Sequence, residues 1–175
     1  MRPEIESMKS DTTQGRLIPW LLGALLVIAL DQGTKQLAVA MLDLHVPVPV
    51  LPFLDFTLIH NPGAAFSLLS SAGGWQRWLF AGLSVIISVF IIHWLRGIPR
   101  GRFLLPLALT LVLGGALGNL WDRLVLGAVV DFIDLHYRGW HWPTFNVADS
   151  AISVGAFLLF VTLMRPDGDR GDKGT

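Results

Sequence analysis

The sequence predicts a membrane protein of the all-α class, with four transmembrane helices and a small β-sheet outside the bilayer. Composition is the first reason. Of 175 residues, 53% are hydrophobic and only 15% charged, and the mean hydropathy of +0.57 is too high for one soluble domain to hide in its core. The second is the presence of four apolar stretches that approach the ~20 residues needed to cross a hydrocarbon layer as helix. The third is where the basic residues fall. Arg2, Lys9 and Arg16 precede the first stretch, Arg96, Arg100 and Arg102 fill the second connection, and Arg165, Arg170 and Lys173 follow the last. By the positive-inside rule these mark the cytoplasmic side, so both termini are expected inside.

The first span is expected from Leu17 to Leu30, continuing past a polar interruption to Leu42. Arg16, the apolar run and Ala38-Val39-Ala40 imitate a signal peptide with a cleavage site. Asp31 and Lys35 would make that peptide unusually long and charged, so an uncleaved helix is expected. The outer loop 43–75 follows. Its Val46-Pro47-Val48-Pro49-Val50 is extended by prolines, and Phe53 to Ile59 is rich in strand formers, which together predict a small sheet on the membrane surface. Trp78 to Leu95 and Phe103 to Trp121 are the second and third spans. In the outer loop 122–147, Tyr137, Trp140 and Trp142 favour the headgroup level. Ala148 to Met164 is the fourth span. Gly114 and Gly118, and Ala151 and Gly155, have the spacing that lets helices approach closely. One domain, 17–165, is expected between polar tails 1–16 and 166–175 that read as disordered.

Formal charge is zero, so no basic field argues for nucleic acid. The absence of cysteine removes thiol nucleophiles, thiolate metal sites and disulfides, leaving carboxylates, histidines and hydroxyls. His45, His60, His136 and His141 all fall outside but lack a metal-ligand spacing, and no Gly-x-Ser-x-Gly elbow occurs. No metal or cofactor is expected.

Ionisable groups in spans are costly and so are functional candidates. Asp31 lies ~21 Å along the first helix at 1.5 Å per residue, and Lys35 lies one turn further. Asn119, Asp122 and Arg123 end the third span; Asn146 and Asp149 open the fourth. All therefore belong to one outer layer. Asp31 and Lys35, at i,i+4, can neutralise each other, either as a structural pair or on the substrate side. Asn119 and Arg123 share that spacing and could position catalytic groups. Asp149 sits at a helix start, as a simple cap or as an ionised carboxylate favoured by the helix dipole. Asp131, inside Val129-Val130-Asp131-Phe132-Ile133, would be buried with its pKa raised. Two carboxylates in opposed environments suit acid–base catalysis, with Asp134 an alternative to Asp131.

Five blocks then stand out: Asp31-Gln32-x-x-Lys35, Asn61-Pro62-Gly63-Ala64-Ala65-Phe66-Ser67, Gly114 to Arg123, Val130-Asp131-Phe132, and Phe145-Asn146-Val147-Ala148-Asp149-Ser150. In this order they resemble the signature blocks of the lipoprotein signal peptidase family, also called signal peptidase II, across roughly Pro19 to Met164. The resemblance implies an aspartic endopeptidase that removes the signal peptide from prolipoproteins by cleaving before a diacylglyceryl-modified cysteine. It places the dyad on Asp131 and Asp149, favouring Asp131 over Asp134, and supporting roles on Asp31, Lys35, Asn61, Asn119, Arg123 and Asn146, with Gly63 and Asp122 beside them. It further implies an outer β-cradle, a short outer helix, contact with membrane lipids, inhibition by globomycin, and an active site at the outer face of the bacterial cytoplasmic membrane. Two positions depart from the pattern: Pro62 at a variable position, which removes a backbone donor, and Trp121 where Tyr is frequent. The rival expectations are a proton- or ion-coupled transporter, since intramembrane carboxylates also mark relays, and a non-catalytic assembly factor.

Overall fold

The structure is a computed structural model and describes residues 17–63 and 74–164. The polar tails, six of the nine basic residues that orient the spans, and the Ala64-Ala65-Phe66-Ser67 part of the second block lie outside these residues.

Among the described residues, four helices are long and apolar enough to cross a membrane: α1 (Leu17–Met41), α2 (Gln76–Gly97), α3 (Leu104–Val125) and α4 (Val147–Met164). α1 continues without a break through Asp31 and Lys35, because these two side chains pair with each other and face protein. α3 runs four residues beyond the point where apolar sequence ends. Its last turn is charged, but Asp122 and Arg123 are buried against neighbours and not against lipid.

α3 is the central helix and packs on the other three. Its small residues make this possible. A β-carbon on Gly114 would lie 2.6 Å from Val27 Cβ, and one on Gly118 2.6 Å from Asp31 Oδ2, so both glycines admit α1. A β-carbon on Gly115 would strike the carbonyl oxygen of Ala148 on α4. Gly155 of α4 returns the fit, since its β-carbon would stand 2.7 Å from Ala108 O. Ala24, Ile91, Leu95, Leu109 and Leu113 form the apolar core among α1, α2 and α3.

The expected outer sheet is present and antiparallel, in the order β1-β2-β3-β4: β1 (Pro47–Leu51), β2 (Leu54–Asn61), β3 (Val129–Tyr137) and β4 (Trp140–His141). Every residue of β1 is exposed, and its two prolines discourage further pairing at that edge. β3 and β4 form a hairpin whose two-residue loop, Arg138 (φ 50°) and Gly139 (φ 82°), has the left-handed backbone such loops require. Val130 and Phe132 of β3 pack with Leu58 and Ala38, tying the sheet to the carboxyl end of α1. The expected short outer helix has no counterpart among the described residues.

Candidate active site

Strand alternation decides what β3 presents. Val129, Asp131 and Leu135 line a cavity of about 490 Å³, whereas Val130 and Phe132 face the apolar cluster. Asp134, three positions from Asp131, is turned away from the cavity. Its Oδ1 lies 2.9 Å from His141 Nδ1 and its Oδ2 accepts from Thr57 Oγ1 at 3.4 Å. The rings of His141 and His136 stack 5.2 Å apart, and His136 Nε2 stands 3.2 Å from Asp55, so both histidines belong to the sheet's own polar cluster.

The chain between β4 and α4 runs beside β3. Ile133 N donates to Phe145 O at 2.9 Å and Phe145 N donates back to Ile133 O at 3.1 Å. This pairing delivers Asn146 to Asp131, where its Nδ2 donates to Asp131 Oδ1 at 2.7 Å. Asn146 also begins α4. Asp149 N donates to Asn146 Oδ1 at 2.8 Å, and Asn146 N donates to Asp149 Oδ2 at 3.3 Å. These are the reciprocal bonds of a capping box, so the helix cap is Asn146 and Asp149 is its third-position partner. The simple-cap reading of Asp149 is corrected accordingly. Asp149 Oδ1 remains directed to Asn119, whose Nδ2 donates to it at 2.7 Å. Asp131 and Asp149 thus line one cavity and are bridged by a single asparagine.

Behind them lies a buried ion cluster. Lys35 Nζ is 2.7 Å from Asp31 Oδ2 and 2.8 Å from Asp122 Oδ2, and it donates to Asn119 Oδ1 at 2.9 Å. Asp31 is fully buried, and its other oxygen accepts from Ala148 N at 2.9 Å, a backbone donor in the first turn of α4. Asp122 also accepts from Val130 N at 3.2 Å and so fixes the start of β3. Gln32 donates to Asp122 Oδ1 at 2.8 Å. Sequence reasoning passed over Gln32 except as a member of a block; its one signal was a polar residue beside Asp31 in an apolar helix.

On the opposite wall, Asn61 ends β2. Its Nδ2 donates to Asp131 Oδ2 at 3.0 Å while its Oδ1 accepts from Gly63 N at 3.0 Å. This is an Asx turn with Pro62 between the two, at a point where no backbone donor is needed. Arg123 holds Gly63 O at 3.1 Å and Asn119 O at 3.2 Å, with its guanidinium 5.3 Å from the centre of the Phe80 ring. Arg123 Nε is buried and finds no acceptor among the described residues. All ten residues singled out in the sequence therefore meet around one cavity or directly behind it.

Burial and the neighbouring Asp149 charge push the Asp131 pKa up to about 7, against the lowering effect of the Asn61 and Asn146 donors. A carboxyl group in that range can hold or release a proton at neutral pH, which is what acid–base work requires.

The family model described as signal peptidase (SPase) II matches residues 23–165 of this sequence. The chain belongs to the signal peptidase II family. The lipoprotein signal peptidase of Acinetobacter baylyi is 55% identical over 142 residues, covering 81% of this chain and 79% of that protein. That of Coxiella burnetii is 53% identical over 146 residues, covering 83% and 90%. Among solved structures, a bacterial membrane enzyme determined by the in meso method superimposes with a TM-score of 0.80 at 29% identity, covering 94% of this chain and 98% of that one. This signal peptidase II is accordingly a membrane protease, and the transporter reading finds no support.

Proposed function

We propose that the chain is an aspartic endopeptidase that removes signal peptides from prolipoproteins before a diacylglyceryl-modified cysteine, with Asp131 and Asp149 as the catalytic pair. The observation that carries this reading is the shared cavity in which Asn146 bonds both carboxylates while burial and the Asp149 charge raise the Asp131 pKa to about 7. In the proposed reaction Asp149, at the amino end of α4, takes a proton from water as the water oxygen attacks the scissile carbonyl carbon. Asp131 holds the other proton, supports the developing oxyanion, and donates to the departing amine as the C–N bond breaks. The products are the carboxyl end of the signal peptide and the free amino group of the lipidated cysteine. Arg123 Nε offers a donor to a substrate carbonyl, and Asn119 and Asn61 hold the two carboxylates in register.

The positive-inside distribution supports a cytoplasmic (inner) membrane location with both termini inside and the cavity at the outer face. Globomycin is expected to compete for this cavity, and bilayer lipids surround the four helices. The deciding experiment uses proteoliposomes with a lipidated precursor. Asp131→Asn and Asp149→Asn should each insert normally and lose cleavage by a thousandfold or more. Near-normal turnover in either variant would remove that aspartate from the chemistry.

A further inference from the structure

Each aspartate of the proposed pair follows a backbone N–H that is held from behind. Val130 N, one residue before Asp131, donates to Asp122 Oδ2 at 3.2 Å. Ala148 N, one residue before Asp149, donates to Asp31 Oδ1 at 2.9 Å. The spacing of the pair therefore depends on the spacing of two buried carboxylates, one on α1 and one on α3. These two carry like charge and are driven apart unless something joins them. Lys35 is one link, through Asp31 Oδ2 and Asp122 Oδ2. Gln32 is the other. Its Nε2 lies 2.8 Å from Asp122 Oδ1, the oxygen that Lys35 leaves, and 3.2 Å from Asp31 Oδ2, and it also reaches Gly118 O at 3.2 Å. Gly118 leaves the space for this, since a β-carbon there would stand 2.6 Å from Asp31 Oδ2.

Bonds to both oxygens fix the rotation of a carboxylate, which a bond to one oxygen leaves free. With Oδ1 tied to Gln32, Asp122 turns its Oδ2 to Lys35 and to the start of β3. A primary amide suits this place because it supplies two N–H donors to carboxylate oxygens without adding a second charge beside the Lys35 ammonium. The effect of Gln32 reaches Asp131 through Asp122 and Val130, and Asp149 through Asp31 and Ala148. We propose that Gln32 is a positioning residue that, by bridging Asp31 and Asp122, sets the spacing of Asp131 and Asp149. This rests on the reading of those two as the catalytic pair.

The test compares Q32M with the unaltered full chain in proteoliposomes, on a lipidated precursor. Methionine keeps the length of the side chain and offers no donor. At the pH optimum kcat should fall about tenfold to a hundredfold, the scale of an ångström of misplacement, with KM within about twofold. Burial and then the Asp149 charge raise the Asp131 pKa, so a wider pair loses part of the second influence. The alkaline limb of the kcat/KM profile should accordingly move to lower pH. Q36M, one turn along the same groove and exposed, should match the unaltered chain in both respects. Unchanged kcat in Q32M, a lowered kcat with the limb unmoved or moved upward, or an equal loss in Q36M would each overturn the proposal. If Q32M fails to insert, Q32N gives the same decision, because its amide ends one carbon short of Asp122. Failure of the catalytic pair reads differently: Asp131→Asn or Asp149→Asn would then keep turnover, whatever Q32M does.

Discussion

At the scale of single residues, the behaviour of Asp131 is set by opposing influences that can be separated. Burial and the Asp149 charge raise its pKa to about 7, while hydrogen bonds from Asn61 and Asn146 stabilise the ionised form and pull it down. As the proposed acid, Asp131 is protonated below about 7 and ionised above. Cleavage efficiency should therefore fall as pH rises through that value, close to tenfold per unit beyond it. Asn61→Ala removes a donor to the ionised form, so the alkaline limb should move to higher pH. A pH profile of kcat/KM for both proteins checks the sign, and a shift downward would contradict the arrangement. Lys35 permits a second prediction. With 3% side-chain exposure it is paired with both Asp31 and Asp122, whose side chains are 0% and 3% exposed. Lys35→Met should strand two buried carboxylates and cost about 3–5 kcal/mol, measured as a loss of thermal stability in detergent.

Among elements, the close approach of α3 to α4 is the most demanding contact. A side chain at Gly115 would meet backbone at Ala148 and the Ile152 side chain 2.7 Å away, and neither backbone can yield without moving Asp149, one residue on. Gly115→Ala should therefore lose about 1–3 kcal/mol of stability and disproportionate activity, whereas Gly33→Ala, with open space around it, should lose neither. Much of the element level was legible in the sequence. Hydropathy located all four helices, and the prolines and strand-forming residues of the first outer loop located β1 and β2. The apolar stretch of the third span stops at Trp121, with Asp122 and Arg123 expected to end the helix; α3 runs on to Val125 because these two side chains find partners in Lys35 of α1 and Gly63. Asn146 and Asp149 have the capping-box spacing, but an asparagine and an aspartate near a helix start are both cap formers, and only the reciprocal bonds show that Asn146 is the cap. The bonds from Lys35 to Asp122 and from Asn61 to Asp131 connect residues distant in the chain, and local patterns carry no information on such pairs. The family blocks gathered the residues, but only the folded geometry shows which bonds join them.

For the whole molecule, the proposed orientation makes a prediction that the composition renders easy to check. The chain contains no cysteine, so a single introduced thiol reports its own side of the membrane. Trp140→Cys, in the exposed β4, should react with a membrane-impermeant maleimide on intact inner-membrane spheroplasts. Gly97→Cys, where a side chain meets nothing within 4 Å, should react only after permeabilisation. The reverse pattern would invert the topology and place the cavity on the cytoplasmic side.

The reciprocal bonds between Asn146 and Asp149 bear on how a substrate complex could be captured. Asparagine at position 149 keeps one oxygen able to accept from Asn146 N, while its amide nitrogen takes the place of the oxygen that accepts from Asn119 Nδ2, so Asp149→Asn should leave the first turn of α4 wound at the cost of the Asn119 bond while chemistry stops. Alanine there would fray the turn that also anchors Asp31 through Ala148 N. Asp149→Asn is thus the better choice for a dead-end trap, one that holds an uncut precursor long enough for crystals or grids.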